Sequence, residues 1–322
     1  MICLVFPMRV LHITSNYPTP EHPVFGIFVK EQVDSLRAAG IDCDVLYCDK
    51  KGHGAWAYLT YIPRIWWRIL TGRYDVIHCH HVLSGLLCIF TFWPLFKKCV
   101  LSYQNDPSRE GHFNSFWFVY CFFNRIILKN PSKYLKYRRT VYLPNGCNEN
   151  FFTPLDKEEC RRKLGLDADA VYILFMDSNS RVRKQKRKDR FDACLELLRK
   201  DYPNVKAIEL YNTPRELIPL YMNACDLHLL SSDFEGSPNS VKECMCCNTP
   251  VVSTDVGNVR EMIGDIQGCV VVDNPFPQAL AEACRMVISS DVPFEGRAPF
   301  LGKGYGMGAV AEKLVDLYRN IL

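Results

Sequence analysis

Short apolar runs alternate with amphipathic stretches along most of this chain. Strand-like runs fall at 9–15, 43–48, 74–80, 98–104 and 140–143, and a second series at 171–177, 206–211, 227–231, 250–254 and 269–272. Many are continuously apolar, as expected of parallel strands covered on both faces. Helical patterns lie between them. "GIFVKEQVDSLRAAG" (26–40) closes on Gly40, a good helix stop, and the strand "CDVLYCD" follows. "PRELIPLYMNAC" (214–225) and "PQALAEACRMVISS" (277–290) each open on a proline suited to a first helical position. Strand–helix alternation performed twice predicts an α/β protein of two doubly wound, Rossmann-like domains.

The turn-rich segment "LPNGCNENFFTPLDKEE" (143–159) marks the boundary, because Pro144, Asn145, Gly146 and Pro154 suit turns and not a core. The predicted domains span residues 1–147 and 148–307, and the last helix, 308–322, can pack on either, including back on the first. In doubly wound sheets ligands bind at the carboxyl ends of strands, so a cleft between the two domains is expected.

Composition changes this picture little. The 322 residues suit two domains, and 48% apolar with 23% charged residues is ordinary for a globular protein. A net charge of +4 suits an anionic ligand or membrane surface without requiring one. Sixteen cysteines are scattered through apolar elements with no disulfide-framework spacing, which reads as a reduced, cytoplasmic chain. "MICLVFPMRVLHITSN" lacks the basic start and small-residue cleavage site of a signal peptide. No run reaches the roughly 18 apolar residues of a spanning helix.

The chemistry concentrates in "FEGSPNSVKE" (234–243). "LHLLSS" reads as a strand, "DFEGS" as the loop after it, and Ser237 as the N-cap of a helix beginning at Pro238. The N–H groups of Asn239, Ser240 and Val241 then face outward, and Gly236 permits close backbone approach, which together make an anion site. Glu235 and Glu243 flank it. Like charges repel, so each acid is expected to accept hydroxyl hydrogen bonds beside the anion: Glu235 from a sugar, Glu243 from a ribose. The pattern fits a sugar nucleotide, and also fits an acidic loop followed by an exposed helical glutamate. Cations suited to a diphosphate occur in "SNSRVRKQKRKDRFDACLELL" (178–198), after the first strand of the second half.

Residues 221–263, "YMNACDLHLLSSDFEGSPNSVKECMCCNTPVVSTDVGNVREMI", resemble the donor-binding core of the family-4 retaining glycosyltransferases, which have the GT-B fold. The resemblance rests on Glu235 and Glu243 in a Glu-x7-Glu motif, on "TPVVSTD", and on the turn from Gly257 to Glu261. "FGIFVKEQVDSL", "YDVIHCHH" and "LPNG" extend it. It implies a metal-independent, configuration-retaining transfer from a nucleotide-diphosphate sugar, UDP- or GDP-linked, with no bound cofactor. The acceptor is then a hydroxyl of a glycan or lipid-linked sugar, in cell-surface polysaccharide or glycolipid synthesis. By the same resemblance Glu235 contacts the transferred sugar and Glu243 the ribose. Arg181 and Lys186 fall on the diphosphate-binding cations, with Arg183 and Lys188 as the alternative pair. Gly26 falls in a loop approaching the phosphates. Gln104 stands where relatives often carry a histidine, a departure that argues against a histidine-assisted step there.

Other motifs weigh less. His78 and His80 of "HCHH" share one strand face, but no carboxylate or cysteine partner stands at metal-site spacing, so His80 is placed with Gln104 on the acceptor side and no metal is expected. "CMCC" (244–247) reads as buried thiols and "DADA" (167–170) as a turn. "GAWAYLTYIPRIWWRIL" (54–70) and "NSFWFVYCFFNRIILK" (114–129) mix aromatics with cations; they suit core helices with snorkelling cations or peripheral docking on an anionic membrane. A nucleotide-sugar epimerase or phosphorylase of the same fold is the enzymatic alternative. A nucleic-acid-binding role for "RVRKQKRKDR" is disfavoured because no aromatics interleave it.

Overall fold

The computed structural model describes residues 8–22, 24–49, 57–108, 116–177 and 183–322. The chain forms two compact units: Met1–Gly146 with Met307–Leu322, and Cys147–Gly306.

In the first unit the chain runs β1 (Arg9–Thr14), α1 (Ile27–Ala38), β2 (Asp42–Tyr47), α2 (Ala57–Gly72), β3 (Val76–His80), α3 (Val82–Ile89), β4 (Lys98–Ser102), α4 (Phe116–Phe122), β5 (Arg125–Leu128) and β6 (Thr140–Tyr142). The six strands make one parallel sheet in the order β2-β1-β3-β4-β5-β6. Successive side chains of β1 point to opposite faces and both faces are covered, which is why Val10, Leu11 and Ile13 are all buried. Val10 packs with Val33 and Leu36 of α1, whereas Leu11 and Ile13 join Ile65 and Ile69 of α2 and Leu87 of α3.

The second unit runs α5 (Lys157–Leu164), β7 (Val171–Asp177), α6 (Lys188–Leu198), β8 (Val205–Tyr211), α7 (Ile218–Ala224), β9 (Leu227–Leu230), α8 (Asn239–Cys246), β10 (Val251–Thr254), α9 (Val259–Ile263), β11 (Val270–Val272), α10 (Pro277–Ile288) and α11 (Arg297–Phe300). Its five strands are parallel, in the order β11-β10-β9-β7-β8. Ile173 and Phe175 of β7 pack on Phe191 and Leu280, while Leu174 packs with Met222, Val241 and Met245 on the other face. The chain then returns to the first unit as α12 (Met307–Arg319), whose Val310 and Leu314 complete the α1 face of that core.

Three local expectations need correction. The run 114–129 is not one helix. α4 stops at Phe122, Asn124 caps the edge of β4 by accepting from the Cys99 N–H at 2.8 Å, and the β-branched pair Ile126–Ile127 continues the sheet as β5. Pro214 does not open the long helix expected after it; a single tight turn, Arg215–Leu217, comes first, and Pro219 takes the early position in α7. Pro238 is itself the extended residue before α8, at φ −65° and ψ 120°, so Ser237 lies one residue outside the N-cap and Asn239 is the first helical residue.

Candidate functional site

At the carboxyl end of β9 the chain turns through Ser231–Pro238 into α8. Two acid–base pairs stand along this turn and helix. Glu235 Oε1 lies 2.7 Å from Lys186 Nζ and accepts from the Ser232 hydroxyl at 2.9 Å. Glu243 Oε1 likewise lies beside a cation, 3.0 Å from Arg215 Nη1. Both pairs are largely buried. Such pairs are costly to desolvate and are held by their geometry.

The helix start carries its own polar lining. The His228 ring, fully buried, has Nδ1 2.9 Å from the Leu174 carbonyl and Nε2 3.0 Å from Ser240 Oγ. A carbonyl only accepts, so Nδ1 carries the proton and the Ser240 hydroxyl donates to Nε2. Burial pushes His228 down to about 4, which keeps it neutral in this role. Lys242 is only 1% exposed and donates to Ser237 Oγ at 3.1 Å. Its burial lowers it to about 8. Accepting from Lys242 leaves the Ser237 hydroxyl proton to point elsewhere, so Ser237 can donate to an anion at the helix start.

Backbone contacts fix the acidic turn. Ser231 Oγ donates to the Lys186 and Arg187 carbonyls, the Asp233 N–H donates to the Gln185 carbonyl at 2.8 Å, and Thr254 Oγ1 donates to the Ser232 carbonyl at 2.7 Å. Gly257 closes the brace from the other side. It sits at φ 60°, and a Cβ there would lie 2.3 Å from the Gly236 oxygen. Only glycine fits so close an approach in that conformation.

The sequence-predicted residues are distributed as follows. Glu235, Gly236, Ser237, Asn239, Ser240 and Glu243 lie on this turn and α8, and Lys186, in the tight turn before α6, joins them through Glu235. Arg181 lies outside the described residues. Of the alternative pair, Arg183 is held by Asp177 at 2.5 Å, and Lys188 is turned to Asp192 and to Glu209, the latter at 3.0 Å. Arg187 and Arg190 both engage Asp233. The basic run is thus largely matched by acids of its own unit, unlike a patch presented to nucleic acid. Arg215, Ser232, His228 and Lys242 were not singled out from sequence. Arg215 stands 28 positions from Glu243 and meets it only through the packing of α7 beside α8.

In the first unit Gly26 takes φ 68°, and a Cβ would lie 2.3 Å from the Asn16 carbonyl, so the loop after β1 closes on glycine at the start of α1. Gln104 Oε1 accepts from Asn145 Nδ2 at 3.3 Å. His80, the other acceptor-side candidate, is 2% exposed, and its Nε2 lies 3.0 Å from His12 Nδ1. The cause is strand register, which sets His12 beside His78 and Thr14 beside His80. His78 in turn meets Tyr318 OH at 2.6 Å and Ser102 Oγ at 2.8 Å. The ligand atoms of His12, His78 and His80 lie within 4.8 Å of one another, a spacing that could hold a metal ion. Yet all three ligands are uncharged, both His78 nitrogens have hydrogen-bond partners, and the charge of buried Lys129 bears on His78 and His80. A buried dication without a counter-charge is strongly disfavoured, so the cluster reads as a neutral hydrogen-bonded network.

Two doubly wound parallel units, with ligand-type chemistry at a strand-to-helix turn, constitute the GT-B fold. Residues 184–290 match the family described as Glycosyl transferases group 1. The chain is 25% identical to the glycosyltransferase TuaC of Bacillus subtilis (strain 168), named for teichuronic acid biosynthesis, over 86% of this chain and 88% of that one. It is 24% identical to D-inositol 3-phosphate glycosyltransferase of Geodermatophilus obscurus, over 68% of this chain and 60% of the relative. Among solved structures it resembles sucrose-phosphate synthase from Thermosynechococcus elongatus (TM-score 0.76, 16% identity, 97% and 98% of the two chains) and Anabaena HepE in complex with UDP-glucose (0.70, 16%, 97% and 100%). The family match and the sequence relatives support a glycosyltransferase.

Proposed function

We propose that the chain transfers a sugar from a nucleotide-diphosphate donor to a hydroxyl of a glycan or lipid-linked acceptor, with retention at the anomeric carbon and no metal ion. The observation that carries this reading is the pair of acid–base contacts, Lys186–Glu235 and Arg215–Glu243, on either side of the amide end of α8. In this reading the diphosphate rests on the N–H groups of Asn239 and Ser240 and on the Ser237 hydroxyl. Lys186, with Arg181 as its expected partner, neutralises the phosphate charge. Glu243 accepts from the ribose hydroxyls, and Glu235 from hydroxyls of the sugar being moved. Gly26, at the start of α1, is the first unit's proposed donor-side residue.

Negative charge grows on the leaving diphosphate as the glycosidic bond breaks. Amides and cations already in position stabilise that charge more in the transition state than before it. The sugar becomes oxocarbenium-like, and the acceptor hydroxyl attacks on the face the diphosphate leaves. Its proton passes to a departing phosphate oxygen, so no protein base is required. UDP binding by HepE and the role for which TuaC is named favour a UDP-type donor and cell-surface polysaccharide synthesis. The test is thermal shift against UDP, GDP and their sugars, followed by NMR of the product formed on added acceptors. A new glycosidic bond of unchanged anomeric configuration supports the reading. Isomerised donor without transfer, or no response to any nucleotide, contradicts it.

A further inference from the structure

Ten of the sixteen exposed large hydrophobic side chains among the described residues fall between Leu59 and Phe118. They lie on three elements of one layer: α2, the α3–β4 connection, and α4. On α2, Ile65 and Ile69 are buried, while Leu59, Trp66 and Leu70 recur at helical spacing on the outside with Trp67, 63% exposed, beside them. The α3–β4 connection adds Phe90, Phe92, Leu95 and Phe96, the last 76% exposed. Pro63, Trp66, Trp67, Phe90 and Phe92 line one continuous groove of about 560 Å³. Trp117 and Phe118 of α4 extend the apolar surface.

Two further observations point to what covers it. Phe92 sits at φ 63°, a left-handed conformation rare for a bulky residue, while presenting a ring that is 68% exposed. Water alone gives no reason to hold an aromatic ring outward on a strained turn. The charge is also one-sided. Residues 57–108 and 116–142 hold eleven lysines and arginines and two acids, Asp75 and Asp106; the rest of the chain carries 28 basic and 33 acidic residues. Several of these cations border the apolar surface. Arg64 and Arg68 flank the α2 stripe, and Lys136 stacks over Tyr137, whose ring meets Trp117 at 4.8 Å.

We propose that this layer of the first unit docks on an anionic lipid surface, its tryptophans and phenylalanines at headgroup depth and its cations against lipid phosphates. Aromatic side chains ringed by cations are the composition that interfacial binding favours. A second copy of the chain is the poorer partner, because a symmetric contact would bring the same excess of positive charge together. Among the described residues no helix is long and apolar enough to cross a membrane, so the contact is superficial. The proposal stands independently of the donor chemistry at α8.

The experiment is co-sedimentation of the full chain with phosphatidylcholine vesicles, with and without phosphatidylglycerol. The expected result is binding that needs the anionic lipid and weakens with salt. The triple variant Trp66→Ser, Trp67→Ser, Phe92→Ser should bind at least about tenfold more weakly. Arg64→Glu and Lys136→Glu should each lower binding by about fivefold or more per charge removed. All five positions are on the surface, and circular dichroism checks that each variant is folded. No binding to anionic vesicles, or variants that bind like the parent, overturns the proposal. So does a dimer by light scattering that the triple variant converts to monomer, because the face would then be a self-interface.

Discussion

Replacing Gly257 with alanine should cripple turnover far more than it harms the fold. Two costs act at this position. The first is conformational: at φ 60° an L-residue is about 1–2 kcal/mol less favourable than glycine. The second is steric. The new Cβ would stand 2.3 Å from the Gly236 oxygen and 3.0 Å from the Glu235 oxygen, whereas carbon and oxygen ordinarily meet at about 3.3 Å. The turn carrying Glu235 must therefore retreat by about 1 Å, and a displacement of that size at a reacting centre costs about 10²-fold in rate. Gly165 supplies the control. It has nearly the same conformation, φ 64°, but its added Cβ meets nothing within 4 Å. Gly165→Ala should lower the melting temperature by roughly 2–8 °C from strain alone and leave turnover unchanged. The assay is initial rate with the donor found by nucleotide screening, beside calorimetric melting of both variants. Equal rates for the two variants would refute the claim that the Gly257 turn sets the position of Glu235.

Lys186→Ala and Glu235→Gln should each lower kcat by about 10²–10³-fold with the unfolding transition retained, as loss of a charge-stabilising group does; stopped assays at saturating donor read this. Glu243→Gln should weaken preference for a ribose over a 2′-deoxyribose nucleotide by about tenfold or more, measured by calorimetry with UDP and 2′-deoxy-UDP, and Arg215→Ala should raise KM for the donor by freeing that carboxylate. Acid should unfold the first unit early. His12, His78 and His80 are buried neutral, with His12 lowered to about 3 and the other two well below the usual 6.5. The unfolded chain takes up protons first as pH falls below 6.5, so stability is lost on acidification, from about 6.5 down toward the folded values. At pH 5.5 each ring contributes a loss of about 1.4 kcal/mol. All five tryptophans of the chain lie between positions 56 and 117, so urea melts followed by tryptophan fluorescence report this unit alone. Midpoints that do not fall between pH 7 and 5.5 would contradict the buried neutral state.

Much of the fold is legible in the sequence because the strands are buried on both faces and many carry continuous apolar runs. "VYILFMD" and "PVVST" are nearly unmistakable. β5 is the counterexample: only Phe123 and Asn124 separate it from the aromatic helix before it, so the local pattern runs the two together. The acidic turn was legible because its chemistry is consecutive in sequence. Its partners were less so. Arg215 reaches Glu243, and His228 reaches Ser240, only through the packing of separate elements. His12 likewise joins His78 and His80 through the pairing of β1 with β3, a register that no spacing within "HCHH" encodes.

The most direct test of the central claim is a crystal structure of the chain with UDP or GDP bound, whichever shifts its melting more. The account predicts phosphate oxygens within hydrogen-bond distance of the Asn239 and Ser240 amides, with the ribose hydroxyls on Glu243. A diphosphate seated elsewhere, with the Lys186–Glu235 and Arg215–Glu243 pairs untouched and the start of α8 bare, would contradict it.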